Sequence, residues 1–389
     1  MTILYKHILH VALVASCFLP VISRAADDSA RIRTAVETAI RPLMTQYDVP
    51  GMAVAVTVDG KSTFYSYGLA SRQKNTPVSE ATLFEIGSIS KTFTATLASY
   101  AQVIGKLSLE EHPGKYMPEL AGSAINKASL LHLGTYTAGG LPLQFPDEVS
   151  GNDQTSAYYR QWKPDAAPGT QRRYSNPSIG LLGHITALAL QREFYDAMET
   201  QLFLRLGLGG SHIRVPAIAM GLYAWGYNKA NQPIRMNPGA FGDEAYGVKS
   251  TAEDMIRFVQ LNIAPNPLDG PLQRAVDGTH VGYFKVGGMV QGLGWEQYPY
   301  PVTLKQLLAG NSETIIWDAH PAKQLKSPKT PSGPTLFNKT GSTEGFGAYV
   351  AFVPDKKIGV VMLANKNYPI PARIKAAYAI LEQLAAVAK

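Results

Sequence analysis

The sequence predicts an α/β fold of the α+β type: an antiparallel sheet flanked by N- and C-terminal helices, with a mainly helical part inserted between its strands. Three observations carry this. A helical pattern and a hairpin signal stand near the N-terminus. Helical patterns with many Gly and Pro breaks dominate the long middle. Strand patterns and a last helix return near the C-terminus. The expected division is a leader at 1–25, a split sheet domain at 27–84 and 300–389, and a mainly helical domain at 85–299. An active site is expected in the cleft between the two domains.

The elements follow in order. In Asp27 to Tyr47, Ile32, Val36, Ile40, Leu43 and Met44 fall at helical spacing, with Asp28 or Ser29 as the expected cap and Pro50-Gly51 after the end. Met52 to Val58 and Thr63 to Leu69 read as two strands joined by Asp59-Gly60. Ser88 opens a long apolar helix. Leu130 to Thr137 runs into the sharp loop Ala138-Gly139-Gly140-Leu141-Pro142. Ile179 to Leu190 reads as a buried helix, and Thr251 to Leu261 as a helix capped by Ser250 or Thr251. Ser211 to Ala245 has weak periodicity and is expected to be a long surface loop. Thr335 to Thr340, Gly345 to Val353 and Ile358 to Leu363 read as strands. Ile374, Ala377, Tyr378, Leu381 and Leu384 share one face of a final helix, with Pro371 in its first turn.

Composition bounds the function. The 389 residues are 46% hydrophobic and 17% charged, enough for a sizeable core. The net charge of +7 is spread without a Lys/Arg-rich run, which excludes a nucleic-acid partner on electrostatic grounds. Lys6 and His7, the apolar run Ile8 to Ile22, and Ser23-Arg24-Ala25 form a secretory leader cleaved after Ala25 or Ala26. Removing Lys6 and Arg24 leaves +5, from 34 basic and 29 acidic residues. A periplasmic location follows, with no membrane attachment after cleavage. One alternative stays open: Val14-Ala15-Ser16-Cys17 has the form of a lipobox, which would make Cys17 a lipid anchor. Cys17 is the only cysteine, so the mature chain has no thiol nucleophile and no thiolate metal site. The histidines are scattered without His-x-His or His-x-x-x-His pairs, so no metal and no cofactor is implied.

Three short motifs carry the chemistry. Ser88 and Lys91 are three apart on one helical turn and share a face. A serine hydroxyl becomes a nucleophile when a neighbouring base takes its proton, and this spacing supplies one. A second Ser-x-x-Lys, Ser71 to Lys74, runs into a polar turn instead. Tyr174-Ser175-Asn176 follows a Pro-Gly turn. Lys339-Thr340-Gly341 ends a strand.

In this order the three motifs resemble the signature of serine penicillin-recognising enzymes. The flanking sequence resembles class C β-lactamases (cephalosporinases) over almost the whole mature chain. The resemblance rests on Phe84 to Thr94, Thr135 to Gln144, Tyr174 to Ser178, Asn338 to Pro354 and Ala364 to Pro369. It implies a β-lactamase/transpeptidase-like fold, a small-molecule β-lactam substrate and a monomer. It implies catalytic roles for Ser88, Lys91, Tyr174 and Lys339, with an oxyanion site at the backbone N–H groups of Ser88 and Ser342. Lys339 and Thr340 would face the substrate carboxylate, and Gly341 would let the strand edge approach the ligand closely. Gln144 and Asn176 would bind the acylamide side chain, Asn367 would lie near the carboxylate, and Tyr246 would wall the side-chain pocket. Whether Tyr174 or Lys91 holds the proton at rest is a coupled-titration question that stays open here. Two departures stand out. Gly134 replaces the family's common alanine, a change of about 1 kcal/mol if that backbone is helical. Ile370 replaces a common asparagine and removes one polar contact to the carboxylate. The absence of Ser-Asp-Asn disfavours class A, and the absence of Gly-x-Ser-x-Gly disfavours an ordinary α/β-hydrolase.

Overall fold

The structure is a computed structural model, and it describes residues 19–388. Most of the expected leader, Cys17 included, lies outside the described residues. The first helix, α1, spans Leu19–Tyr47, so it starts before Asp28 and Ser29 and neither residue caps it. β1 (Gly51–Val58) and β2 (Lys61–Ser71) form the expected hairpin around Asp59 and Gly60, and β3 (Thr76–Pro77) adds an edge. Ser71 ends β2 and Lys74 lies in the polar turn that follows, where the Ser71 hydroxyl accepts from the Lys74 N–H at 3.2 Å.

Ser88 sits in a 3-10 turn, Gly87–Ile89, that leads straight into α2 (Ser90–Val103). α3 (Asn176–Leu190) starts earlier than expected because Ser175 caps it and Pro177 fits its first turn. α4 (Gly242–Tyr246), α5 (Ala252–Ile263) and α6 (Gly270–Thr279) complete the helices that matter here. Thr251, not Ser250, caps α5 by accepting from the Asp254 N–H.

The helical middle ends sooner than the sequence suggested. β4 (Gly282–Val286), β5 (Met289–Gly292) and β6 (Glu296–Pro299) belong to the sheet, although the expected boundary put residues up to 299 with the helices. These strands are short and interrupted by glycines, so their period-two signal is faint. β7 (Lys323–Lys329), β8 (Thr335–Ser342), β9 (Gly347–Val353), β10 (Ile358–Ala364) and the last helix, α7 (Ile370–Val387), close the chain. The ten strands run β7-β4-β5-β6-β8-β9-β10-β1-β2-β3, and neighbours pair antiparallel.

Both faces of the sheet are covered. Met52, Val54 and Val56 of β1 pack with Val36 and Ile40 of α1 and with Ile374, Ala377 and Ile380 of α7. The alternate residues Ala53 and Ala55 face the other way, toward Phe93 and Leu97 of α2 and Met255 and Phe258 of α5. A third core holds Ala95 and Ala98 of α2 against Leu130, Leu133, Ile179 and Leu182. α2 is therefore buried on nearly all sides, from Ser90 to Ala101, and Lys91 is its one charged residue.

Two further expectations change. The Ser211 to Ala245 stretch is not simply a surface loop: Tyr223, Ala224, Tyr227, Phe241 and Ala245 are buried, and two short strands cross it. Its weak periodicity reflects irregular backbone rather than exposure. Gly134 ends a short helix, Leu130–Gly134, as the propensity argument required. However, a Cβ there would lie 2.4 Å from Leu293 Cδ1 and 2.9 Å from Leu182 Cδ2. The two leucines fill the space an alanine methyl would take, so packing enters the balance as well as propensity.

Candidate active site

The site forms where the turn before α2 meets the end of β8. Contact between the two backbones is direct. A Cβ on Gly341 would lie 1.9 Å from the Ile86 carbonyl oxygen, and one on Gly87 would lie 2.5 Å from the Ser342 nitrogen. Gly87 also has φ +52°, a left-handed value that glycine adopts freely. Glycine at both positions lets the Ser88 turn press against the strand that carries Lys339.

A cleft of about 540 Å³ opens above this contact. Ser88, Gln144, Tyr174, Asn176, Tyr246, Lys339, Thr340, Gly341 and Ser342 all line it. Lys91 lies fully buried beneath, reaching up to Ser88. Its Nζ donates to Ser88 Oγ at 2.8 Å and to the Ala245 carbonyl at 2.7 Å. The first turn of α2 sets the first contact and α4 sets the second. Backbone also holds Gln144 and Asn176 on one wall, because the Asn176 N–H donates to Leu143 O at 2.9 Å.

Asn367 departs from the expectation. It is exposed, does not line the cleft, and accepts from Arg373 Nη2 at 2.6 Å. Arg373 is buried and donates to Gly341 O at 2.6 Å and to Ser342 Oγ at 2.9 Å. Asn367 thus braces the back of β8 through Arg373. Ile370, one turn earlier on α7, is the residue that reaches the cleft wall.

The electrostatics centre on Tyr174. Lys339 Nζ lies 4.9 Å and Lys91 Nζ 5.2 Å from the centre of its ring. Burial alone would raise the phenol pKa. The positive charges of Lys339 and Lys91, helped by the Ser88 hydroxyl, overcome this and bring it down to about 8. Burial, opposed by Tyr174 and reinforced by Lys339, lowers Lys91 to about 8 as well. Two groups that start on the basic side of neutrality are thus brought together near the pH at which they must exchange a proton, and they titrate as a pair.

The sequence reading missed the support beneath. Arg172 and Glu296 are both buried, with Arg172 Nη2 3.4 Å from Glu296 Oε1. Lys339 Nζ stands 3.8 Å from the same oxygen. Arg172 Nε donates to Gln291 Oε1 at 2.8 Å, and the guanidinium lies 5.4 Å from the centres of the Tyr136 and Tyr174 rings. Glu296 thus offsets two cations that would otherwise be uncompensated under the cleft. A lone acid in Leu293 to Tyr298 gives little warning in sequence. Arg172 stands two residues before Tyr174, next to a motif, yet an arginine there reads as an ordinary surface charge.

Two buried polar atoms along the cleft have no hydrogen-bond partner among the described residues: Asn176 Oδ1 and Glu296 Oε2. Buried polar groups are ordinarily paired, so their convergence in one cleft marks a place prepared for a polar ligand. A nucleophile in contact with a buried amine, a phenol with a depressed pKa, and a second buried lysine form an arrangement suited to acyl transfer.

Comparison with known proteins agrees with this geometry. The family model described as Beta-lactamase matches residues 36–385. A beta-lactamase of Pseudomonas fluorescens is 52% identical over 353 residues, covering 91% of this chain and 99% of its own. A crystal structure of a class C beta-lactamase in complex with cefoxitin superposes with TM-score 0.88 at 50% identity, covering 92% of this chain and 99% of that one. A beta-lactamase/D-alanine carboxypeptidase from Pseudomonas syringae gives TM-score 0.88 at 49% identity, over 90% of this chain and 98% of that one.

Proposed function

This chain belongs to the beta-lactamase family, and on that basis we propose how its own residues carry out the reaction. The enzyme is a class C serine β-lactamase: it hydrolyses the β-lactam amide of cephalosporins and penicillins through an acyl-enzyme, which gives antibiotic resistance. The observation that carries the assignment of residues is the contact of Ser88 with Lys91 beside a phenol held at about 8.

Ser88 Oγ attacks the lactam carbonyl, and its proton passes to the Lys91–Tyr174 pair. The pair has lost one proton in its reactive state, and the lysine and phenol share the one that remains. The tetrahedral oxyanion is received by the backbone N–H groups of Ser88 and Ser342. The carbonyl–nitrogen bond then breaks, and the proton held by the pair goes to the departing nitrogen. Water next gives a proton to the same pair and attacks the ester. The acyl–oxygen bond breaks, Ser88 regains its proton, and the product acid leaves.

Lys339 and Thr340 receive the substrate carboxylate, and Lys339 also keeps the phenol acidic. Gln144 and Asn176 bind the acylamide, with Tyr246 on the wall beside them. Ile370 offers the carboxylate no hydrogen bond, so its recognition rests on Lys339 and Thr340.

The protein acts as a monomer in the periplasm after cleavage at Ala25 or Ala26. The basic n-region and the apolar run behind it support this location. Among the described residues no helix is long and apolar enough to cross a membrane. Recovery of the mature chain in the osmotic-shock fraction, as a monomer by light scattering, is the expected result. Recovery with the membranes would support lipidation of Cys17 instead.

Purified enzyme incubated with a chromogenic cephalosporin, with and without a chelator, tests the reaction itself. Many turnovers that the chelator does not affect are expected. A single equivalent followed by arrest would mean a penicillin-binding sensor. Faster cleavage of a D-Ala-D-Ala peptide would mean a D,D-peptidase.

A further inference from the structure

Glu85 lies three residues before Ser88 and is buried, with 1% of its surface exposed. Both of its carboxylate oxygens are occupied. Oε1 accepts from the Tyr223 hydroxyl at 2.6 Å and from the Met236 N–H at 2.7 Å. Oε2 accepts from the Thr343 hydroxyl at 2.6 Å. These donors come from two different pieces of chain. Met236 belongs to the Ile234 to Asn237 stretch that forms one wall of the cleft, and Thr343 directly follows Ser342 at the end of β8.

The neighbours keep the arrangement in place. The Leu83 N–H donates to Leu222 O at 2.9 Å, and the Ala224 N–H donates to Leu83 O at 3.0 Å. The Arg235 guanidinium lies 4.0 Å from the centre of the Tyr223 ring and donates from Nε to Ala224 O at 3.1 Å. A group that only accepts hydrogen bonds is the natural meeting point for three donors. It is tolerated under cover because all three are there.

We propose that Glu85 is a positioning residue that sets three parts of the site against one another: the Ser88 turn, the strand end that carries the Ser342 N–H, and the Met236 wall. The proposal rests on the reading of Ser88 as the nucleophile and of the cleft as the β-lactam site. Its two arms do different work. Through Thr343, Glu85 fixes the strand end at the oxyanion. Through Tyr223 and Met236, it fixes the wall that meets the substrate's acyl side chain.

The arms separate by substitution. Thr343→Val removes only the strand arm, so kcat falls about tenfold on every β-lactam while KM changes little. Tyr223→Phe removes part of the loop arm, so KM rises severalfold on a cephalosporin with a bulky acyl group and stays nearly level on one with a small group. Glu85→Ala combines both losses. Glu85→Gln restores most activity: its carbonyl accepts from Tyr223 and Met236, and its amide faces Thr343, whose hydroxyl turns to accept.

The experiment measures kcat and KM of wild type and the four variants on those two cephalosporins. It also follows hydrogen exchange in the ligand-free proteins over residues 223–236 and 342–347. Faster exchange is expected in both segments for Glu85→Ala, and in one each for the single-arm variants. The proposal is overturned if exchange is unchanged in Thr343→Val and Tyr223→Phe, or if both variants alter the same kinetic constant alike. A wild type without β-lactam turnover would remove the functional reading and the catalytic half of the proposal. The exchange pattern alone would then decide whether Glu85 holds the two segments. If Glu85→Ala does not fold, the two single-arm variants carry the test.

Discussion

Replacing Lys339 by methionine separates two roles that one side chain combines. Lys339 is placed to bind the substrate carboxylate, and its charge also lies 4.9 Å from the centre of the Tyr174 ring. At that distance, with an effective dielectric constant of about 20, a unit charge interacts with a phenolate by about 3.4 kcal/mol. That corresponds to a ceiling of roughly 2.5 pH units. Glu296, 3.8 Å from Lys339 Nζ, offsets part of this, so about one pH unit is expected. The sign follows from charge. Lys339 disfavours the extra proton on Tyr174 and on Lys91, so removing it makes that proton harder to lose. The ascending limb of kcat/KM against pH, placed near 8 in the wild type by these two groups, moves to higher pH. The assay is a pH profile of cephalosporin hydrolysis for wild type, Lys339→Met and Thr340→Val. Thr340→Val weakens carboxylate binding without removing a charge and leaves the limb in place. A Lys339→Met profile that is lowered but not displaced would show that Lys339 acts on the substrate alone and would refute the electrostatic reasoning.

Other substitutions test the supports. Gly341→Ala puts a methyl group 1.9 Å from the Ile86 carbonyl, a contact with backbone, so hydrolysis should fall by at least a hundredfold; near-normal kcat would contradict the close contact of β8 with the Ser88 turn. Arg172→Met leaves Glu296 with only Lys339 as a cationic partner, and about 3 kcal/mol of stability should be lost in urea titration; an unchanged midpoint would mean the pair contributes nothing. Burial raises the Glu244 carboxyl to about 8, so the folded state holds a proton that the unfolded chain releases above about 4.5. The stability that Glu244 contributes is therefore lost as pH rises from 5 to 8, and Glu244→Gln should gain on the wild type between pH 5 and pH 8; an equal difference at both would sink this reading.

Much of the site could be read from the chain because its chemistry is local. Ser88 and Lys91 are one helical turn apart, and the Tyr174 and Lys339 motifs are each contiguous, so spacing and flanking residues sufficed. The supports are not local. Arg172, Gln291 and Glu296 meet only after β6 pairs with β8, and nothing in the residues around Glu296 marks it as anything but a lone acid. Glu85 falls in the same class, since its three donors lie more than 130 positions away. The strands from Gly282 to Pro299 escaped because glycine breaks blur alternation. Asn367 was misplaced for a different reason: its motif position is right, but its side chain is taken up by Arg373 behind the strand. The start of α1 was misjudged because helical pattern continues upstream of Asp28 into the expected leader.

The most direct test of the whole account is the mass of the enzyme during turnover. A slowly released cephalosporin mixed with wild type and quenched in acid should add one acyl group, and fragmentation should locate it on Ser88. Ser88→Ala should show neither the adduct nor hydrolysis. An adduct on another residue, or turnover that persists in Ser88→Ala, would contradict the assignment of the nucleophile and the proton pair built around it.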